Sequence, residues 1–286
     1  MENSPLLEIR LLQEADIPEA MELKEFAGWN QTENDWRTLL RLEPNGCFAA
    51  VHGGRVVGTT TTTCYGRELA WIGMVLVRPD SRRAGIATEL MKTALDYLSQ
   101  KVATVKLDAT PQGKEVYEKL GFQVESRVER WAGNRQSSRR DSAPTRTLID
   151  AKARRELLAL DRDAFSADRS KLLEVLIDNA SAPPVFSRSD DGLLTGYALA
   201  RIGSKAEYVG PVITKDSARI GALLDRMLSQ LGSPRVYIDF NTENSSASVL
   251  IDKGFVKERD LIRMSRGGRN EKTSSLVFGI AGPEIG

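Results

Sequence analysis

The sequence predicts an α/β (α+β) protein of two tandem halves, each a mixed, largely antiparallel twisted sheet flanked by helices. Three observations predict it. Residues 71–77, Trp-Ile-Gly-Met-Val-Leu-Val, are apolar on both faces, as a central strand covered on both sides is. That strand runs through a glycine-containing turn into a helix with Ile86, Leu90, Ala94, Tyr97 and Leu98 on one stripe. Finally, Tyr117-Glu-Lys-Leu-Gly-Phe122 returns in the second half as Leu250-Ile-Asp-Lys-Gly-Phe255, which reads as an internal duplication.

The elements follow in order. Asp16 can cap a first helix over Ile17, Ala20, Leu23 and Ala27, which Gly28 ends. Thr32 with Asp35 starts a second helix carrying Trp36, Leu39 and Leu40. After the Pro44-Asn45-Gly46 turn, residues 47–51 and 55–64 form a hairpin closed at Gly53-Gly54, and the threonine run 59–63 favours a strand. Beyond the long helix come a strand at 102–107, a short helix at 113–120 stopped by Gly121, and a strand at 122–131. Residues 134–147, rich in Ser, Arg and Asn, read as a connector. Its arginines lack interleaved aromatics, so they do not make a nucleic-acid patch. The second half repeats the plan: helix at 157–176, strands at 193–202 and 207–213, helix at 218–231, strand at 235–240, and a helix ending at Gly254-Phe255. Residues 271–286 are expected to be a loose tail.

Composition narrows the function classes. The 286 residues suffice for two domains of ordinary size, and 41% hydrophobic with 28% charged residues is a globular, water-soluble balance. Lys and Arg number 40 against 39 Asp and Glu, so no net field draws nucleic acid or an anionic membrane. Residues 1–10 lack a signal-peptide pattern, and no apolar stretch reaches the ~20 residues of a membrane span, so a cytoplasmic enzyme is expected. Cys47 and Cys64 are expected as buried free thiols. His52, the single histidine, lies in a turn, which removes any histidine-based triad or histidine-rich metal site; no metal is expected.

The turn between the buried strand and the long helix holds Arg82-Arg83-Ala84-Gly85-Ile86-Ala87-Thr88. A helix start offers unpaired backbone N–H groups and the positive dipole end to a diphosphate; Gly85 and Ala87 leave the main chain open, and Arg82, Arg83 and Thr88 add donors. The pattern Arg/Gln-x-x-Gly-x-Gly/Ala resembles the acetyl-CoA loop of the GNAT superfamily of N-acetyltransferases. The resemblance covers roughly residues 8–131. It implies that the backbone of Val75 and Val77 pairs with the pantetheine arm and that amides from Arg83 through Ala84, Gly85 and Ala87 to Thr88 hold the pyrophosphate. It also implies that Tyr117 protonates the leaving thiolate, the lesser alternative being a helix residue packing on the sheet.

More narrowly, the chain resembles two-domain members with a degenerate C-terminal acetyltransferase-like domain. The shared features include Ala27-Gly-Trp-Asn-Gln-Thr32, Asp35-Trp36, Trp71-Ile-Gly-Met74 and Leu107-Asp-Ala-Thr-Pro111. The domains implied are a catalytic unit at 1–133 and a degenerate unit at 148–270. Two departures stand out. Many members carry a glutamate base where this chain has Trp71, and Thr110 replaces an asparagine before the late helix.

An alkylammonium must lose a proton before it can attack a thioester. Asp108 is the first carboxylate to consider, though it reads as well as a helix-capping residue, and Asp35 is the second. Trp29, Asn30, Asp35 and Trp36 lie where the superfamily borders its acceptor, with wall and core roles open for both tryptophans. The second half lacks the loop at 212–221 and has Leu250 for the tyrosine, so it is expected to bind no acetyl-CoA and to wall the acceptor pocket. Its acids Asp161, Asp168, Asp190, Asp191 and Glu207 would favour a cationic acceptor. The expected activity is acetyl-CoA-dependent acetylation of a primary amine on a small molecule, an aminosugar, aminoglycoside or amino-acid derivative, by direct attack. The alternatives are a non-catalytic acetyl-CoA sensor and a protein or peptide acetyltransferase.

Overall fold

In the computed structural model, which describes residues 7–134, 149–243, 247–268 and 275–286, the first half opens with β1 (Glu8–Leu11), α1 (Ile17–Ala27) and α2 (Glu33–Leu42). Gly28 ends α1 in the left-handed region at φ 71°, and Thr32 and Asp35 form a reciprocal capping box on α2. Asp16 precedes α1 without capping it; its carboxylate instead accepts from Arg10 and from the Gln13 amide. The hairpin β2 (Phe48–His52) and β3 (Arg55–Tyr65) leads to β4 (Leu69–Val77), α3 (Ile86–Leu98), β5 (Thr104–Ala109), α4 (Pro111–Lys119) and β6 (Gln123–Asn134). The expected connector, apart from Asn134 at the end of β6, lies outside the described residues.

The second half contains α5 (Ala151–Phe165), α6 (Ser170–Asp178), β7 (Val185–Arg188), β8 (Leu194–Arg201), β9 (Glu207–Thr214), α7 (Ile220–Leu228), β10 (Arg235–Asn241), α8 (Ser248–Ile251), β11 (Phe255–Gly267) and β12 (Val277–Gly279). The single helix expected at 157–176 is two helices, broken where Ser166 takes φ 62°.

All these strands join one sheet, ordered β1-β2-β3-β4-β5-β11-β6-β10-β12-β9-β8-β7. The halves exchange strands at its centre. β11 of the second half lies between β5 and β6 of the first, and β6 lies between β11 and β10 of the second, every contact antiparallel. The expectation of two separate cores therefore gives way to a shared one. Trp36, Trp71 and Met74 of the first half join Leu157, Leu160, Tyr197 and Ile213 of the second in one cluster. Two further clusters lie under α3 and α7, and the exchanged strands give each a residue of the other half, Met264 in the first and Trp131 in the second.

The expected loose tail is also corrected. Leu276 begins a packed segment in which Val277, Phe278, Ile280, Ala281 and Ile285 are buried. An apolar run of this kind gains by removal from water, about 1.5–3 kcal/mol for each large side chain. Its location matters. β9 and β10 pair in parallel only at Glu207–Val236 and Tyr208–Tyr237, then separate, and β12 fills the gap. β4 and β5 pair the same way, from Leu69–Thr104 to Trp71–Lys106, and then diverge with no strand of the described residues between them.

Among the described residues, no helix is long and apolar enough to cross a membrane.

Candidate active site

The divergence of β4 from β5 is sharpened by a bulge. Thr59 faces Leu76 and Thr61 faces Gly73, so Met74 and Val75 together oppose Thr60. Met74 takes φ 49°, and its carbonyl accepts from the Thr59 hydroxyl at 2.8 Å. Burial shows the consequence. Leu69 and Trp71 face the shared core, and after the extra residue the same face is continued by Met74 and Leu76. Val75 and Val77 turn to the α3 side, half-buried.

Between β4 and α3 the chain passes through Arg83 at φ 65° and Gly85 at φ 79°. Successive residues of this kind turn their amides into one concavity. No side chain caps α3, so its first-turn N–H groups are left for another acceptor. A Cβ built on Gly85 meets nothing within 4 Å, so the space in front of the turn is open. Arg82, Arg83, Ala84 and Gly85 are exposed, with Ala87 and Thr88 half-buried. The Arg82 Nε reaches back to the Val77 carbonyl at 3.2 Å. This cradle fits a diphosphate.

At the mouth of the divergence lies a cavity of about 60 Å³ lined by Trp29, Gln31, Gly73 to Val75, Leu107, Asp108, Thr110, Tyr117, Arg259, Leu261, Pro283 and Glu284. Tyr117 enters from α4, which Thr110 caps by accepting from the Gly113 amide at 3.2 Å. Gly113 gives the ring room, since a Cβ there would sit 3.0 Å from it. The ring meets Phe122 edge-on at 6.2 Å, and among the described residues no hydrogen bond engages its hydroxyl. Burial pushes the phenol up to about 12, which keeps it protonated at neutral pH.

Asp108 lines the cavity, but both of its oxygens are held by Arg263 at 2.9 Å and its side chain is fully buried. Burial raises its carboxyl above the usual range, against the pull of Arg263. The helix cap is Thr110, not Asp108.

The remaining residues expected at the acceptor divide. Trp29 lines the cavity. Trp36 does not: it is wholly buried in the shared core, where an apolar environment claims the ring. Asn30 bridges the halves, its Oδ1 accepting from the amides of Lys205 and Ala206 and its Nδ2 donating to the Ala206 carbonyl. The Asp35 carboxylate is committed to Thr32, at 2.7 and 2.8 Å, with Arg201 at 3.5 Å. The acids thought to draw a cation are likewise engaged or remote. Asp161 is buried against Arg169, Asp168 pairs with Arg162, and Glu207 accepts from Ser233. Asp191 is held by Ser189 in a surface turn beside Asp190.

One carboxylate in the cavity comes from the segment expected to be loose. Glu284 is 3% exposed; its Oε2 accepts from Gln31 at 2.7 Å and its Oε1 from Arg201 at 3.0 Å. Burial raises its carboxyl, with Arg201 opposing and Asp35 adding to the rise. The main chain of Glu284 lies on Gly73, where any Cβ would come within 2.6 Å of the Glu284 carbonyl oxygen. Trp71 secures this arrangement: its indole N–H donates to the Pro283 carbonyl at 2.9 Å, while Arg263 stacks over the ring at 4.6 Å. Tyr65 donates to the Ile285 carbonyl at 2.6 Å, and Arg169 to that of Gly286 at 2.6 Å. Glu284, Gln31 and Arg259 are the site residues that sequence reasoning missed. The apolar run at 276–281 was the available signal that the last residues are anchored.

Cys47 is buried and Cys64 half-buried, and burial pushes each thiol up to about 12, so neither offers a thiolate nucleophile.

Comparison with known proteins agrees with this architecture. A family described as Acetyltransferase (GNAT) family matches residues 10–122, and one described as Acetyltransferase (GNAT) domain matches residues 157–279. The chain is 27% identical over 262 residues to an uncharacterised N-acetyltransferase, YitH, of Bacillus subtilis, covering 88% of each. A protein of Pyrococcus horikoshii solved as a proposed acetyltransferase superposes with a TM-score of 0.80 at 22% identity, over 100% of this chain and 99% of that one. A tandem GNAT protein from the clavulanic acid biosynthesis pathway does so with a TM-score of 0.65 at 16% identity, over 92% and 98%.

Proposed function

Since the chain belongs to the GNAT superfamily of acetyltransferases and carries two of its domains, we propose that its first half acetylates the primary amine of a small molecule. The observation that carries this reading is that one strand, β4, lines at Gly73 to Val75 a cavity holding Tyr117 and Glu284 and leads at its end to the open diphosphate cradle at Gly85. Acetyl-CoA, the family's donor, supplies a thioester when bound. The amides from Arg83 to Thr88 hold its diphosphate, and Val75 and Val77 face its pantetheine arm.

Glu284 takes a proton from the acceptor ammonium, directly or through one water, leaving a lone pair on nitrogen. The cavity's space of about 60 Å³ exceeds the ~10–15 Å³ that one water needs, enough for such a relay. The bulge at Met74 and Val75 frees an amide from the ladder to meet the carbonyl oxygen as it gains charge. As the nitrogen–carbonyl bond forms and the carbon–sulfur bond breaks, Tyr117 donates its phenolic proton to the departing sulfur. It is restored, through water, by the proton the nitrogen sheds in becoming an amide. Asp108 holds Arg263, and through it Trp71, in place.

Glu284 thereby does the work of the glutamate that many relatives carry at the position of Trp71, and Trp71 holds the segment that brings it. The small size of the cavity favours a small acceptor over a protein chain, which would need a long groove. β12 fills the second half's gap, which supports a single donor site per chain.

A screen of amines by release of free thiol from acetyl-CoA tests the reading. Amine-dependent release supports it; slow hydrolysis that no amine accelerates sinks it. With an acceptor in hand, Tyr117→Phe is expected to lower kcat about a hundredfold while acetyl-CoA affinity stays within a factor of about three. Unchanged kcat would remove Tyr117 from the chemistry.

A further inference from the structure

The charges around the cavity do not balance. Arg263 is matched to Asp108, Arg130 to Asp239, Arg201 to Glu284 and Arg169 to Asp161. Arg259 lines the same cavity, yet its guanidinium makes no hydrogen bond and no ion pair among the described residues. Its Nε is buried without a partner. The side chain as a whole is half-buried, but an unmet buried donor costs about 1–3 kcal/mol, which a ligand reaching this guanidinium would recover.

Local structure aims it there. β11 has a register break between Lys257, opposite Trp131, and Arg259, opposite Arg130, so Glu258 is the extra residue. Such a bulge re-aims the side chains that follow. Here it puts Arg259 beside Leu261 on the cavity wall. Burial, and then the neighbouring Arg130 charge, lower its proton affinity, against the smaller pull of Asp239 and Glu258.

We infer that Arg259 anchors an acid group on the acceptor, and that the substrate is a short amino acid whose amine meets Glu284 while its carboxylate meets Arg259. The inference rests on the transferase reading above and narrows its substrate class. Both side chains line one cavity, so a single short molecule can present its amine to one and its acid group to the other. A planar guanidinium suits a carboxylate because two N–H groups can meet its two oxygens. An aminosugar or aminoglycoside would leave the arginine unmet.

The test compares α-, β- and γ-amino acids, each with its primary amide, by thiol release on the full-length protein and on Arg259→Gln. Acetyl-CoA affinity is measured in parallel by calorimetry. The expected result is an acid preferred over its amide by about ten- to a hundredfold in kcat/KM, with the preference lost in Arg259→Gln mainly through KM. Donor affinity is expected to be unchanged. As a binding readout, the N-acetyl acid should bind the coenzyme A complex more tightly than its amide, and only when Arg259 is present. Amides used as well as acids, or a preference that survives Arg259→Gln, would overturn the anchor and leave the transferase intact. Lost donor binding in the variant would move Arg259 to the donor side and overturn it as well. If no amine of either kind is acetylated while acetyl-CoA binds, the transferase reading falls first, and the anchor with it.

Discussion

Glu284→Gln is expected to lower kcat by about a hundred- to ten-thousandfold at neutral pH, with acetyl-CoA affinity unchanged. The argument is one of position and charge. Glu284 is a cavity carboxylate whose main chain rests on Gly73, next to the bulge at Met74 and Val75. Glutamine keeps the size and can still accept a hydrogen bond from Arg201 or Gln31, but it cannot take a proton. The pH profile carries the same signature. Burial raises the Glu284 carboxyl above the ordinary ~4.3 of a glutamate, Arg201 pulls it back, and Asp35 adds to the rise. A base works only when ionised, so kcat should be full above this raised value and fall as pH drops through it. That acid limb should vanish in Glu284→Gln. A variant that keeps wild-type kcat, or keeps the limb, removes Glu284 from proton transfer.

The second large effect concerns stability. Asp108→Ala is expected to cost about 3–5 kcal/mol of unfolding free energy, measured by denaturant titration. The pair with Arg263 crosses the strand exchange, since Asp108 on β5 faces Arg263 on β11 in register, and both side chains are buried. Removing the acid strands a buried guanidinium that also stacks on Trp71. The double variant Asp108→Ala/Arg263→Met removes both charges and should recover most of the loss, because a buried pair exchanged for apolar groups is often neutral. If the single variant instead keeps full stability and loses only kcat, Asp108 is the proton acceptor and the positioning role given to it here is wrong.

Local signals carried much of the fold. Thr32 with Asp35, Gly28, and the Gly53-Gly54 turn each specify an end or a reversal through their own chemistry, and each is found where the sequence put it. The loop around Gly85 was legible for the same reason: a left-handed glycine before an amphipathic helix is a local pattern. What the sequence hid is long-range. Nothing in residues 255–267 says that this strand pairs with β5 rather than within its own half, because register between distant strands depends on the whole sheet. Trp36 and Trp29 look alike in sequence, and only packing separates a core ring from a cavity wall. Asp108 was readable as a buried-strand carboxylate, whereas its partner lies 155 residues away. Glu284 was obscured by the Gly- and Ser-containing stretch before it, although the apolar residues 276–281 mark an anchored segment.

That segment also bears on how the duplicated halves differ. In the first half the space between the parting strands stays open and becomes the cavity; in the second, Val277–Gly279 occupies it as β12. The same few residues close the spare cleft and run on to deliver Glu284 to the other.

Calorimetric titration of the full-length protein with acetyl-CoA tests this most directly. The account predicts one equivalent bound per chain, and none after Gly85→Glu, whose carboxylate would stand in the diphosphate's place. Two equivalents, or undiminished uptake by the variant, would contradict it.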